Sequence, residues 1–590
     1  MVRSSGAMHV ATTRRHYTDK SGTTKVYEAH LLRRSYRQGG KVKTQTVGNL
    51  SALPAEAIEA VRAVLKGEVL TAVGAPSSAV QVSRSVPHGH VAAVLAQARA
   101  LGLPALLGPP GRLRDLALAL IVARVVRPAS KLATSRWWAD TTLTDLGVGD
   151  ASTDEVYAAL DWLAGRQPDI EAVLAQRHLA PTNNPGRAAL YDLSSSWVTG
   201  RCCPLAVFGY SRDRKRGYPQ IEYGLLTDPH GRPVAVEVFP GNTADPTAFT
   251  AAVDKLRHRF ALTGLTLVGD RGMITSARIA ALKEVGGFDW VTALRAPDIA
   301  ELAADTGPLQ MSLFDQTNLA EIAHPKFPGE RLIACRNPAL AAERARKRAQ
   351  QLAATETDLD AVVTAVTAGR LTGADKIGMR VGKVIGKRKM AKHFVVTITD
   401  TGFSYRRDTA AITAETALDG IYVIRTSLPA DQASAPAVVH LYKSLSLVER
   451  DFRGLKTIDL DLRPIRHYTE TRVRGHVFLC VLANYLVWHL RRAWAALTFT
   501  DEQPPTDADP VAPARRSATA NRKVSRRTRD DGQPLHTFRG LLDHLATLTR
   551  NTLNFPTAPG TPHIDQLATP TPDQRAAFQL LDQPIPLTLT

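Results

Sequence analysis

The sequence predicts an α/β protein: a mixed-sheet core covered by helices and interrupted by an α+β insertion, preceded by a basic β-hairpin with a helix and by a helical domain. Three observations lead there. Apolar residues recur at helical spacing through residues 90–178. The strand-like runs RAALYDLSSSW, QIEYGLLTD and RPVAVEVFP then crowd together before helix and strand begin to alternate. A long charged helical stretch, NPALAAERARKRAQQLAATETDLDAVVTAVTAG, breaks that alternation until GIYVIRTSL resumes it.

Taken in order, residues 1–75 read as two strands around the Gly39-Gly40 turn, followed by the helix LPAEAIEAVRAVLKG. Arg33, Arg34, Arg37, Lys41 and Lys43 cluster near that turn, as DNA contacts would. The small, polar stretch 72–86 reads as a linker. Residues 76–183 form the helical domain, a candidate for contact with DNA or a partner chain. The core occupies 184–296 and 420–496, split by an insertion over 297–419. Residues 497–590 carry a linker, the basic run ARRSATANRKVSRRTR, expected to be disordered, and the apolar segment FRGLLDHLATLTRNTLNF, expected to dock on the body.

Composition narrows the function. At 590 residues, several units are expected. A hydrophobic share of 44% with 22% charged residues is that of folded protein. No run approaches the roughly 18 continuous apolar residues of a membrane span, and the start lacks an apolar signal core. The four cysteines, Cys202, Cys203, Cys335 and Cys480, show no zinc-type pairing, so a reduced cytoplasmic setting is expected. Lys plus Arg number 74 against 55 acids, a net charge of +19 that suits a polyanion, most simply nucleic acid.

Asp192 ends the strand ALYDLSSSW and Asp270 ends LTLVGD. Carboxylates at strand ends face the crevice of an α/β sheet, although Asp equally favours turns and helix caps. In APAVVHLYKSLSLVERDFRGLK, Tyr442, Glu449 and Lys456 recur at intervals of seven, almost two helical turns, which predicts one stripe. A solvated helix face has the same spacing. Three converging carboxylates would repel one another, and divalent metal relieves that repulsion. Two Mg²⁺ ions, or Mn²⁺, suit such hard oxygen donors. Ser194 to Ser196 lack the elbow of a hydrolase nucleophile.

Three blocks, YDLSSSW continuing into GYSRDRKRGYPQIEYGLLTDPHGRPVAVEVFPGNTADPTAF, then LVGDRGM, then Tyr442 to Lys456 running into RPIRHYTETRVRGHVFLCVLANYL, resemble the DDE-type bacterial insertion-sequence transposases of the insertion-sequence-four superfamily. The resemblance implies an RNase H-like core, with Asp192, Asp270 and Glu449 as the catalytic, metal-binding triad. It implies a Tyr-Arg-Glu-Lys signature matched by Tyr442, Glu449 and Lys456, with Leu445 at the arginine position and Lys443 or Arg450 as substitutes. Arg271 is a further candidate for the scissile phosphate. Implied partners are transposon-end DNA with inverted repeats, target DNA and a second copy of the chain, in a bacterial cytoplasm. The insertion holds no Trp, leaving Phe394, Phe403 or Tyr405 to stack on a base. A nuclease that cleaves without joining, and a catalytically inactive DNA-binding descendant, are the alternatives. DNA binding should weaken steeply between 50 and 200 mM salt, as counterion release demands. A salt-independent affinity in a titration would refute the role given to the basic hairpin.

Overall fold

The computed structural model describes residues 7–18, 24–38, 41–67, 80–180, 187–304, 306–505, 509–529, 531–555 and 562–590. The Gly39-Gly40 turn lies outside them. By internal contact the chain divides into two units, Met1–Ser85 with Asn551–Gln566, and Val86–Arg550 with Leu567–Thr590.

In the first unit, β1 (Ala7–Thr18), β2 (Thr24–Gln38) and β3 (Lys41–Asn49) form an antiparallel sheet. The two-stranded hairpin expected from sequence thus has a third member, β1, rich in Thr, Val and Tyr. Helix α1 (Ala55–Leu65) packs on β1, where the Arg62 guanidinium donates to Thr12 Oγ1. The end of the expected linker is instead the strand β4 (Gln81–Pro87), paired in a second sheet with the strand Thr549–Asn554, which in turn pairs with Ile564–Leu567. Five of its residues are exposed, so its composition carries almost no core signal. The pairing divides the basic cluster. Arg34 shares a face with Lys43 and Lys41 through the couples Tyr36↔Lys43 and Gln38↔Lys41, while Arg33 and Arg37 lie on the other face.

The second unit is a mixed α/β body built on one eight-stranded sheet. Its order is β10-β11-β14-β9-β8-β5-β6-β7. The centre consists of β5 (Ala188–Trp197), β6 (Gln220–Thr227), β7 (Pro233–Pro240), β8 (Leu265–Val268) and β9 (Phe288–Ala293). Neighbours β5, β6 and β7 are antiparallel, whereas β8 runs parallel to β5 and to β9. Residues 89–179 supply the helices α2 (Gly89–Ala100), α3 (Leu103–Leu107), α4 (Arg112–Val126), α5 (Lys131–Trp138) and α6 (Thr153–Leu179). Helix α6 opens on a capping box in which Ser152 and Glu155 bond each other's backbone N–H.

A later helix, Glu470–Ala493, packs on α4, α6 and β7. It is long and apolar enough to cross a membrane, yet nearly every residue from Val473 to Leu490 is buried in protein.

Two expectations about the boundaries need correction. Two strands of the expected insertion, β10 (Leu319–Ile322) and β11 (Arg331–Arg336), join the sheet beside the returning core strand β14 (Ile421–Thr426). Pairing between strands some 90 residues apart leaves no local trace. The stretch from the helix Pro338–Thr367 to Ala417 builds a small core of its own, from Leu359, Val362, Ile377, Phe394 and Phe403 among others, and Ile299, Leu302, Leu309, Phe314 and Phe327 build another with Leu294, Ile421 and Val423. Phe394 and Phe403 are buried in the former, so neither is free to stack on a base, and the Tyr405 hydroxyl bonds Asp360 at 2.6 Å. Nor is the basic run disordered throughout: Ser517 caps a helix over Ala518–Arg526, and Lys523 bonds Ala495 O at 2.9 Å and Glu502 at 2.6 Å. The segment Phe538–Ala546 docks as a helix through buried Leu541, Leu542 and Leu545.

A buried ion pair ties the helices to the sheet. Lys255 Nζ lies 2.9 Å from Glu171 on α6 and 2.8 Å from Glu237 on β7, while Glu171 also accepts from Val236 N. Glu171 is 1% and Lys255 5% exposed. Removing one partner strands a buried charge. Lys255→Met should therefore destabilise by roughly 3 kcal/mol in urea unfolding, and adding Glu171→Gln should recover part of the loss.

Candidate active site

The parallel ladder sets the geometry. Its couples run Ala188↔Thr266, Ala189↔Leu267 and Leu190↔Val268, then stop. Asp192 and Asp270 each lie two residues beyond the last couple: Asp270 follows the end of β8, whereas Asp192, expected to end its strand, sits within β5, which runs on to Trp197 against β6. Gly269 N still bonds Val291 O at 3.2 Å, and the chain then turns so that Asp270 Oδ1 accepts from Arg271 N at 2.6 Å. Asp192 Oδ1 accepts from Leu193 N at 2.8 Å.

The third acid comes from helices on the same face of the sheet. Helix α13 (Ala435–Lys443) and helix α14 (Leu445–Arg453) meet at Ser444, and α14 packs on β5 with Phe452 against Tyr223. Burial pushes the Asp192 carboxyl up to about 7, with the charges of Asp270 and Glu449 adding to the rise. Burial and those same three carboxylates push the Tyr442 phenol up to about 12. Tyr442, Asp192, Asp270, Arg271 and Glu449 therefore share one electrostatic neighbourhood. Arg271 and Arg450 are exposed and have no ion-pair partner among the described residues.

Lys456 departs from the expected stripe. After Arg453 the helix widens into a π-turn, Gly454–Ile458, which rotates Lys456 off the α-helical register. Its ammonium is buried and bonds Asp213 at 2.7 Å, where Arg463 also sits at 2.5 Å. Burial lowers its pKa and Asp213 partly offsets that fall. Leu445, in the arginine position, packs on the apolar core. Lys443, a sequence candidate to replace that arginine, is held by Pro510 O at 2.7 Å and Ala512 O at 2.6 Å.

Sequence reasoning missed a second acidic group beside the first. Asp245, at the start of the helix Asp245–Asp254, pairs with Arg212. A Cβ built on Gly272 would lie 3.4 Å from Asp245 Oδ2 and 3.7 Å from Asp270 Oδ2, so the two carboxylates flank that glycine. Glu222, 3% exposed, is pushed up to about 7 by burial, an effect that Arg212 opposes. Glu222 and Asp245 line a cavity of about 380 Å³ with Gly209, Tyr210, Arg212 and Asn242. An acid inside the apolar run QIEYGLL was the available signal for Glu222; Asp245 reads from sequence only as a helix start.

The donor set of Asp192, Asp270 and Glu449 fits a hard divalent cation, which would relieve the repulsion raising Asp192. As they stand, no group of three or more His, Cys, Asp or Glu side chains among the described residues is arranged to hold a metal ion.

Residues 197–486 match the transposase DDE domain, a span that includes Asp270 and Glu449 and begins just past Asp192. Residues 16–74 match the N-terminal domain of the IS1634 family of transposases. No curated protein matches the chain. Among solved structures it is similar to a piggyBac transposase synaptic complex with hairpin DNA, at 8% identity over 73% of this chain and 70% of that one, with a TM-score of 0.32.

One pH effect follows from Glu222. Its raised pKa means that the folded state holds a proton the unfolded chain releases, so its contribution to stability falls as pH rises from about 4.5 to about 7. Glu222→Gln should match wild type near pH 4.5 and exceed it by up to about 2 kcal/mol at pH 8. A difference that stays constant across a pH series of melts would refute this.

Proposed function

Because the chain belongs to the DDE-type insertion-sequence transposases of the IS1634 family, enzymes acting on DNA, we propose that it cleaves the phosphodiester at a transposon end and transfers the freed 3′-OH into target DNA. The observation that carries this reading is the electrostatic convergence of Asp192, Asp270, Glu449 and Tyr442. The central order β7-β6-β5-β8-β9, two antiparallel pairings followed by two parallel ones, supports reading the core as RNase H-like.

Asp192, Asp270 and Glu449 would hold Mg²⁺ or Mn²⁺. When bound, such a cation supplies charge stabilisation to a reacting phosphate and acidifies a water. The protein residues do the rest. Asp192, within β5, and Asp270, just past β8, each accept a backbone N–H bond, so little reorganisation is needed to present them. Arg271 and Arg450, both exposed beside the acids, contact the DNA phosphates. The half-buried Tyr442 phenol stays protonated at neutral pH and donates a hydrogen bond to a phosphate oxygen. Lys456 acts as a positioning residue: with Arg463 it clamps Asp213 and so sets the loop that carries Arg212 toward the acids. Partners are paired transposon ends with inverted repeats, target DNA and a second copy of the chain.

Asp192→Asn and Glu449→Gln should each abolish cleavage of an end-containing duplex, by at least a thousandfold, while end binding in a gel-shift assay stays within a few-fold of wild type. Cleavage that survives either change would sink the triad. Pre-cleaved ends that bind but yield no joined product would leave a nuclease instead.

A further inference from the structure

The loop between β5 and β6, residues 198–219, is built to present aromatic rings on a rigid base. Its end pairs back on β6, with Val207 N to Gln220 O at 3.1 Å and Gln220 N to Val207 O at 3.0 Å. Gly209 and Gly241 meet backbone to backbone: a Cβ on either would fall 2.0 Å from a carbonyl oxygen. The Gln220 side-chain amide donates to Tyr210 O at 2.9 Å and Gly241 O at 2.8 Å. The far side is pinned by Arg212 N to Ser195 Oγ at 3.0 Å and by Asp213, clamped between Lys456 and Arg463.

From this fixed backbone Phe208 is 68% and Tyr210 81% exposed. Such rings cost free energy in water, and a monomer gains nothing from holding them out rigidly. The cations Arg214, Lys215 and Arg216 follow them in the same loop. Lys215 lies over the rings of Trp197 and Tyr218, at 5.3 and 5.5 Å, and neither Arg214 nor Arg216 has an ion-pair partner among the described residues. The sole acid in the loop is Asp213, which is buried and paired. Rings interleaved with cations, and no exposed acid, are the chemistry of unpaired nucleic acid, whose bases stack while its phosphates seek positive charge. Intact duplex hides its base faces and has no use for the rings.

We propose that this loop is a stacking platform for an unpaired DNA strand beside the carboxylates, with Phe208 and Tyr210 against bases and Arg214 and Arg216 on the adjoining phosphates. The proposal rests on the reading of the site as a DNA-cleaving centre and names the form of DNA it engages.

The test uses the full chain and fluorescence anisotropy, with a labelled 20-nucleotide single strand and the duplex of the same sequence. Replacing both rings (Phe208→Ala with Tyr210→Ala) should weaken single-strand binding at least tenfold and duplex binding less than twofold. Exchanging them (Phe208→Tyr with Tyr210→Phe) should preserve both affinities. Arg214→Ser with Arg216→Ser should flatten the single-strand salt slope by about 1.4. An unchanged single-strand affinity in the ring variant, or equal losses on both DNAs, overturns the proposal, as does an unchanged slope in the arginine variant. Failure of wild type to cleave any DNA would count against the cleavage reading instead, because the binding comparison stands without it.

Discussion

Three parallel couples between β5 and β8 hold the candidate site together. They fix the offset of two strands that meet nowhere else in sequence, and through it they set Asp192 beside Asp270. A slip of one residue would turn one carboxylate to the opposite face of the sheet, because side chains alternate along a strand. Both strands are buried, so register is enforced by the whole apolar pattern around them and not by the acids. The site is thus unfavourable electrostatics imposed by favourable packing: burial and neighbouring charge raise Asp192, and the core outweighs that cost.

Positive charge is distributed to manage the same stress. Arg212 pairs with Asp245 and lowers the cost of ionising Asp192 and Glu222. Lys456 and Arg463 converge on Asp213, one residue along the same loop. One short segment therefore couples the acids to the helix after Glu449. Basic residues elsewhere in the site, Arg271 and Arg450, remain unpaired among the described residues and exposed, which is how groups reserved for a polyanion stand.

The widened turn at Gly454–Ile458 changes the meaning of the Tyr442, Glu449 and Lys456 spacing. Regular α-helix would align all three. In the folded chain, Tyr442 and Glu449 serve the carboxylate neighbourhood, and Lys456 serves the loop beneath it. Two functions share one sequence signature because the helix does not keep a single pitch.

Sequence by itself determined the α/β class, the order of the acids along the chain and the polyanion-seeking charge, because these follow from composition and local periodicity. It also marked Tyr442 and Glu449, which stay in regular helix up to and beyond the break at Ser444. Only the tertiary structure decided the sheet order that draws β10 and β11 out of the expected insertion, the division of the basic hairpin residues between two faces, the diversion of Lys443 and Lys456 to protein partners, and the gathering of Glu222 and Asp245 beside the acids. Each of these depends on contacts between segments tens to hundreds of residues apart, where packing and register act and local spacing carries no information.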